Sequence, residues 1–158
     1  MRQGVRLGVD VGTVRVGIAR SDRDGLLATP VETLQRRGRT AEQLASAVLA
    51  TAAELAAIEI VVGLPVALSG RDTASTADAR RVAAALAAAG GLPVRLVDER
   101  LTTVSATAAL HASGRDTRRS RSTIDQVAAV ILLQHALDVE RSRGAPPGVL
   151  ADPTERDA

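Results

Sequence analysis

The chain of 158 residues contains no cysteine and no aromatic residue, and it has a single methionine. The lack of cysteine excludes disulfide bonds, thiolate metal sites and nucleophilic cysteine chemistry. The lack of Phe, Tyr and Trp excludes stacking of single-stranded bases on aromatic side chains. The hydrophobic fraction of 46% is therefore almost entirely Ala, Val, Leu and Ile, which predicts an aliphatic core.

Lysine is absent as well, so all 20 basic residues are arginine, and 18 acidic residues leave a formal net charge of only +2. Any attraction for a polyanion must therefore come from local arginine clusters. No apolar segment reaches the roughly 18 residues that span a bilayer, and no secretion signal is recognisable at the N-terminus. We expect one soluble, cytoplasmic domain over residues 1–143 and a flexible tail over 144–158, which is rich in Pro, Gly and charge.

The N-terminal part of the chain predicts three antiparallel strands. Residues 6–11 alternate between apolar and polar side chains, and residues 14–18 alternate in the same way. Only a Gly-Thr dipeptide separates the two runs, a spacing typical of a tight hairpin in which Gly12 takes unusual backbone angles. A third strand is expected at 26–34, with Pro30 marking it as an edge or irregular strand.

Helices and strands alternate in the rest of the chain. Thr40 and Gln43 form a capping box for the first helix, and a β-branched run that ends at Gly63 predicts a buried parallel strand. We expect helices at about 40–57, 76–89, 103–112 and 123–141, strands at 58–62 and 94–97, and a basic loop at 113–121. This order predicts a mixed five-stranded sheet with helices on both faces, an α/β domain of the ribonuclease-H-like class.

Carboxylates occupy three positions where chemistry is possible. Asp10 lies in mid-strand, where a buried charge needs either an arginine partner, such as Arg15 or Arg100, or a ligand. Asp98 and Glu99 follow a parallel strand at the edge where open α/β sheets bind ligands. Alternation lets only one of these two face Asp10, and the spacing does not say which.

Asp125 lies in the first turn of the last helix, where a capping box with Ser122 explains it without catalysis. Acids from two adjacent strands and a packed helix can nevertheless meet at one end of a sheet. Carboxylates without His or Cys suit Mg²⁺, and two such ions about 4 Å apart can promote phosphodiester hydrolysis. The three acids together therefore favour a metal-dependent nuclease.

Five motifs extend this interpretation to nearly the whole chain: Gly8-Val-Asp-Val-Gly12, Arg15-Val-Gly-Ile-Ala19, Gly63-Leu-Pro65, Asp98-Glu-Arg-Leu-Thr-Thr103 and Ile124-Asp-Gln-Val-Ala-Ala129. In order and spacing the chain resembles the YqgF family of ribonuclease-H-like proteins, described as nucleases that process precursor 16S rRNA and, earlier, as Holliday junction resolvases. The resemblance implies that Asp10, Glu99 and Asp125 hold Mg²⁺ or Mn²⁺ and carry catalysis, and it selects Glu99 over Asp98.

The chain departs from the family pattern at several positions. Val14 stands where the family usually has a lysine, and Val66, Ala67 and Leu68 replace the usual residues after Gly-Leu-Pro. Junction resolvases carry a further acid one helical turn after the helix aspartate, where this chain has Ala128. These changes argue against simply transferring resolvase activity to this protein.

Arginines next to the acids are candidates for phosphate contacts. The predicted nucleic-acid-binding residues are Arg15, Arg100, Arg115, Arg118, Arg119 and Arg121. Because aromatic platforms are missing, the expected substrate is structured RNA, namely precursor 16S rRNA or its ribosomal precursor particle, or else branched DNA. The protein is expected to be a monomer or a weak homodimer.

Three alternatives remain open at this point. A dimeric Holliday junction resolvase would use the same acids in two active sites. A nucleotide-binding module is suggested by the likeness of residues 8–13 to the phosphate loop of actin and sugar kinases, although those proteins close two such domains around ATP. The third alternative is a non-catalytic adaptor for RNA or the transcription machinery.

Overall fold

A computed structural model describes residues 1–100 and 117–154, with side chains omitted for 117–125. The strands are β1 (Arg6–Val11), β2 (Arg15–Ser21), β3 (Ala28–Gln35), β4 (Glu59–Leu64), β5 (Val94–Asp98) and β6 (Val149–Leu150); the helices are α1 (Ala41–Glu54), α2 (Ala74–Gly90) and α3 (Thr117–Arg143). None of the helices in this part of the chain is long and apolar enough to cross a membrane.

The sheet has the strand order β3-β2-β1-β4-β5-β6. The pairs β1–β2 and β2–β3 are antiparallel, β1–β4 and β4–β5 are parallel, and β6 returns antiparallel to β5. The predicted mixed α/β sheet is confirmed, but it has six strands rather than five, because Val149 and Leu150 of the expected tail pair with β5.

Two hydrophobic cores lie on opposite faces of the sheet. Alternate residues of the central strands, such as Leu7 and Ile60, pack with α1 and α2 in the larger core. The opposite face carries smaller side chains, including Ala19 and Val61, and packs against α3. Small residues on this face let the last helix lie close to the strands, which matters for the site described below.

Several element boundaries differ from the expected ones. Thr40 and Gln43 form the predicted capping box of α1, but this helix ends at Glu54. Pro30 lies on edge strand β3 next to an irregularity in the β2–β3 register, as expected. Gly12 does not adopt a positive φ, because three residues rather than two connect β1 to β2 and a hydrogen bond from Gly12 N to Arg15 O closes the turn.

The largest correction concerns the expected basic loop at 113–121. Helix α3 begins at Thr117, so Arg118, Arg119 and Arg121 lie on its first turns rather than in a loop. Runs of arginine have good helix propensity, which explains the earlier start. Arg115 and the helix expected at 103–112 lie outside the described residues.

A buried ion-pair network joins the amino end of the sheet to the C-terminal part of α3. Arg2 donates hydrogen bonds to Glu59 at 3.0 and 3.1 Å and to Glu140 at 2.7 and 3.0 Å. Arg95 also contacts Glu59, at 2.8 Å, and Arg6 lies 3.4 Å from Glu140. The network fixes the end of α3 that lies far from Asp10.

This ion-pair network should make the stability of the protein depend on pH. Hydrogen bonds from Arg2 hold the pKa of Glu140 below its usual value of 4.5. A carboxyl group whose pKa is lower in the folded than in the unfolded state stabilises the protein at any pH above its unfolded-state pKa. This contribution is lost as the pH falls through the folded-state pKa. In urea unfolding from about pH 7 to pH 3, the stability gap between wild type and Glu140→Gln should therefore shrink on acidification. A constant gap would contradict this assignment.

Candidate functional site

Asp10 and Glu99 meet at the carboxyl end of the parallel strands, on the face covered by α3. Asp10 is half-buried near the end of β1, and Glu99 follows β5 directly and is only 8% exposed. The two side chains share a hydrogen bond. The expectation that these acids come from adjacent strands is wrong, because β4 lies between β1 and β5.

Gly63 of β4 makes the contact between the two acids possible. A Cβ atom added at Gly63 would lie 2.7 Å from Cγ of Glu99 and still closer to its carboxylate. The Glu99 side chain therefore crosses β4 in the space that any other residue would fill. Sequence reasoning missed this role, although a glycine within a β-branched strand signals close approach by another group.

The pleat of β5 distinguishes Glu99 from its neighbour Asp98. Val97 packs in the core on the α3 face and Leu96 in the opposite core, so alternation directs Glu99 toward Asp10 and Asp98 away from it. Asp98 is exposed and accepts hydrogen bonds from the backbone N and Nε of Arg100, at 2.9 and 2.8 Å. Arg100 thus pairs with Asp98, a contact that lowers the pKa of this exposed carboxyl.

The electrostatics of the acid pair differ from those of Asp98. Burial, followed by the hydrogen bond and the charge of Asp10, raises the pKa of Glu99 to about 9. Two carboxylates this close repel each other when both are ionised, so the pair either shares a proton or faces a cation. The donor set is therefore suited to a divalent metal ion with a preference for oxygen ligands.

Helix α3 approaches β1 directly above Gly8. A Cβ atom added at Gly8 would lie 2.8 Å from Cβ of Leu133 and 3.1 Å from the carbonyl oxygen of Ala129. Gly8 and Asp10 share a strand face, and Ala129 lies one turn after Asp125 along the helix. The missing side chain at Gly8 thus allows the helix to pack close to the acid-bearing strand.

A hydrogen bond from Gln126 fixes the position of helix α3 along the direction of the strands. Its Nε2 atom donates to Oγ1 of Thr33 at 3.0 Å, while Gln134 near the other end accepts from the backbone N of Ala28 at 2.9 Å. The helix therefore runs antiparallel to β3. Thr33 pairs with Gly17, which pairs with Asp10, so Gln126 contacts the same cross-strand row as Asp10.

This register brings the backbone of Asp125, next to Gln126, to the level of Asp10. The side chain of Asp125 lies outside the described set, so its place in the site stays a prediction. Within the described part of the chain, no group of three potential metal ligands assembles, and the acids seen together are Asp10 and Glu99.

Of the predicted phosphate-binding arginines, Arg15 lies half-buried at the start of β2, at the same edge of the sheet as Asp10. Arg100 is engaged by Asp98, and Arg118, Arg119 and Arg121 belong to the N-terminal turns of α3. Their predicted role in binding nucleic acid stays a prediction.

Comparison with known proteins agrees with this architecture. Residues 4–139 match the family model described as "RuvX: Holliday junction resolvase". A protein of Clavibacter michiganensis subsp. michiganensis is 59% identical over 95% of this chain and 92% of its own length, and one of Leifsonia xyli subsp. xyli is 56% identical over 97% of each. Both carry the name "Putative pre-16S rRNA nuclease".

The solved structures that match include RuvC of Thermus thermophilus in complex with a Holliday junction substrate. The TM-score is 0.60 at 17% identity, over 92% of this chain and 99% of the other. This likeness shows the fold, which is the predicted ribonuclease-H-like one. The family match and the two relatives together establish that this chain belongs to the RuvX family, the YqgF family identified from its motifs.

Proposed function

We propose that this protein is a metal-dependent endonuclease that hydrolyses phosphodiester bonds in precursor 16S rRNA in the cytoplasm. The observation that carries the proposal is the buried contact between Asp10 and Glu99 across Gly63. A structural acid pair would gain nothing from such burial, because each carboxylate raises the cost of ionising the other. The relatives' names support rRNA as the substrate.

Asp10, Glu99 and Asp125 would hold Mg²⁺ or Mn²⁺ at the carboxyl end of the sheet. A bound ion of this kind supplies Lewis-acid stabilisation of the phosphate and lowers the pKa of a coordinated water. The chain itself provides the rigid placement of the acids: β1 fixes Asp10, Gly63 leaves room for Glu99, and the Gln126–Thr33 contact sets the height of α3. All of these parts lie within residues 1–143, while the sheet itself extends to β6.

The composition favours a duplex or folded substrate over an unstructured strand. Without aromatic side chains, binding must rely on phosphates and on backbone shape. The predicted phosphate-binding arginines include residues of two separate elements, the start of β2 and the first turns of α3. Such an arrangement fits a rigid substrate that reaches both groups at once.

A second candidate function is cleavage of four-way DNA junctions. The description of the matching family model favours it, and the fold is that of a junction-bound resolvase. Symmetric cuts would need two copies of the acid site in a dimer. Ala128 stands where resolvases carry a further helix acid, which favours the RNA substrate.

Two adjacent substitutions test the function with a matched control. Glu99→Gln should reduce Mg²⁺-dependent cleavage of precursor 16S RNA by at least about a hundredfold, because the buried carboxylate is lost from the proposed metal site. Asp98→Asn should retain most of the activity, since Asp98 points away from Asp10 and pairs with Arg100. Cleavage products are measured in parallel on the RNA and on a four-way DNA junction.

The outcomes separate the candidates. Cleavage of the RNA that is lost only in Glu99→Gln supports the proposal. Preferential cleavage of the junction by a dimer would replace it with the resolvase function. Inactivity of the wild-type protein on both substrates, also with precursor particles, would favour the adaptor alternative.

A further inference from the structure

A tight turn of three arginines and one glycine follows edge strand β3. The backbone N of Arg39 donates to the carbonyl oxygen of Arg36 at 2.9 Å, which closes the turn. Gly38 adopts a φ of +77°, a conformation that favours glycine. We refer to Arg36–Arg39 as the arginine turn. The sequence analysis did not predict a role for it.

Arg36 locks this turn to two other parts of the protein. Its Nη1 atom donates to the carbonyl oxygen of Gly12 at 2.7 Å and to Asp78 of α2 at 2.5 Å, and its Nη2 atom donates to Asp78 at 3.0 Å. Its backbone N donates to the carbonyl oxygen of Val14 at 3.0 Å. The bidentate pair and the backbone contacts hold the turn against the β1–β2 connection.

Arg37 and Arg39 are left facing solvent. Both side chains are exposed, and within the described part of the chain neither forms an ion pair. With Arg36 they line an open groove of about 570 Å³, which Thr13, Val14 and Asp78 complete. Because Arg36 and Asp78 neutralise each other, the unbalanced charge of the groove comes from Arg37 and Arg39.

The arginine turn lies at the same end of the sheet as the acid pair. Thr33 occupies the cross-strand row of Asp10, and Arg36 follows three residues later, directly after the end of β3. Strand spacing and residue rise place it about 14 Å from Asp10. That separation is about four base pairs along a duplex. Helix α3 covers the sheet face on which the acids lie.

We propose that Arg37 and Arg39 form a second phosphate-binding surface, which holds the backbone of a duplex substrate at a fixed distance from the cleaved bond. The inference deepens the proposed nuclease function and rests on it. The surface binds phosphates without reading bases, because arginines on a backbone turn offer charge and paired donors. Its rigid attachment to the β1–β2 connection lets it position the substrate relative to Asp10.

The test measures binding to a 20-base-pair RNA duplex by fluorescence anisotropy at 50 to 200 mM salt. It uses Asp10→Asn protein, which the proposed function predicts to be inactive in cleavage. Adding Arg37→Ala and Arg39→Ala should remove about two phosphate contacts. Each lost contact should reduce the slope of log affinity against log salt concentration by about one. Between 50 and 200 mM salt, the factor by which the affinity falls should then be about ten times smaller for this variant than for the parent protein. Equal melting temperatures show that folding is unaffected.

The control removes two exposed arginines near the opposite end of the sheet, Arg23→Ala with Arg141→Ala, in the same background. It should leave the salt dependence unchanged. If the control variant changes the salt dependence as much as the Arg37 and Arg39 variant does, the effect comes from net charge alone and the inference is overturned. An unchanged slope for the Arg37 and Arg39 variant would also overturn it. If the parent protein binds no duplex at all, the proposed function itself fails.

Discussion

Replacing Gly63 with alanine should abolish most cleavage while leaving the fold intact. The new Cβ atom would overlap the Glu99 side chain, whose Cγ atom lies 2.7 Å from that position. The obstructed group is the end of a flexible side chain, so Glu99 can swing away without disturbing the backbone. Separation from Asp10 would then disrupt the proposed metal site, and we expect activity to fall at least about a hundredfold.

Gly8→Ala provides the contrast for this experiment. There the added atom would meet Cβ of Leu133 and the carbonyl oxygen of Ala129, which cannot move without shifting helix α3. We expect this variant to lose about 1–3 kcal/mol of stability together with activity. Thermal unfolding and cleavage of precursor RNA are measured for both variants. Full activity of Gly63→Ala would show that the Asp10–Glu99 contact is not needed.

Removing Glu59 should cause the largest loss of stability. Its side chain is 1% exposed and accepts hydrogen bonds from Arg2 and Arg95, at 2.8 to 3.1 Å. Glu59→Ala removes the hydrogen bonds of Arg2 and Arg95 to this carboxylate, and hydrogen bonds to charged groups contribute about 1.5–3 kcal/mol each. Urea unfolding at neutral pH gives the free energy of unfolding directly.

Glu54→Ala is the matched control, because Glu54 is exposed at the end of α1 and its removal should change stability by no more than about 0.5 kcal/mol. A loss below 1 kcal/mol for Glu59→Ala would mean that its arginines find other partners. The network would then matter little for folding.

The fold was largely predictable because its signals are local. Alternation in β1, the capping box at Thr40 and the buried run of β4 each determine an element within a few residues. Strand β6 has two exposed residues and no such periodicity, so nothing local separates it from a tail. The early start of α3 was missed because its first turns carry polar residues that resemble a loop.

The sequence pointed to two acids that the structure brings into contact, but not to the way in which they meet. Asp10 and Glu99 were found through residue type and motif, and their contact agrees with that choice. The sequence does not reveal that β4 separates their strands, since strand order depends on contacts between distant segments. For the same reason the role of Gly63 and the position of the arginine turn beside the β1–β2 connection emerged only from the three-dimensional arrangement.

The contacts that fasten helix α3 include those of Gln126 with Thr33 and of Glu140 with Arg2 and Arg6. Fourteen residues separate these attachments, or about 21 Å of helix. Because a helix is rigid along its axis, these contacts together determine its axial position relative to the sheet. The ion pairs at the far end of α3 therefore influence the proposed metal site from a distance. They help to determine how far along the sheet the backbone of Asp125 reaches, although they contact neither Asp10 nor Glu99.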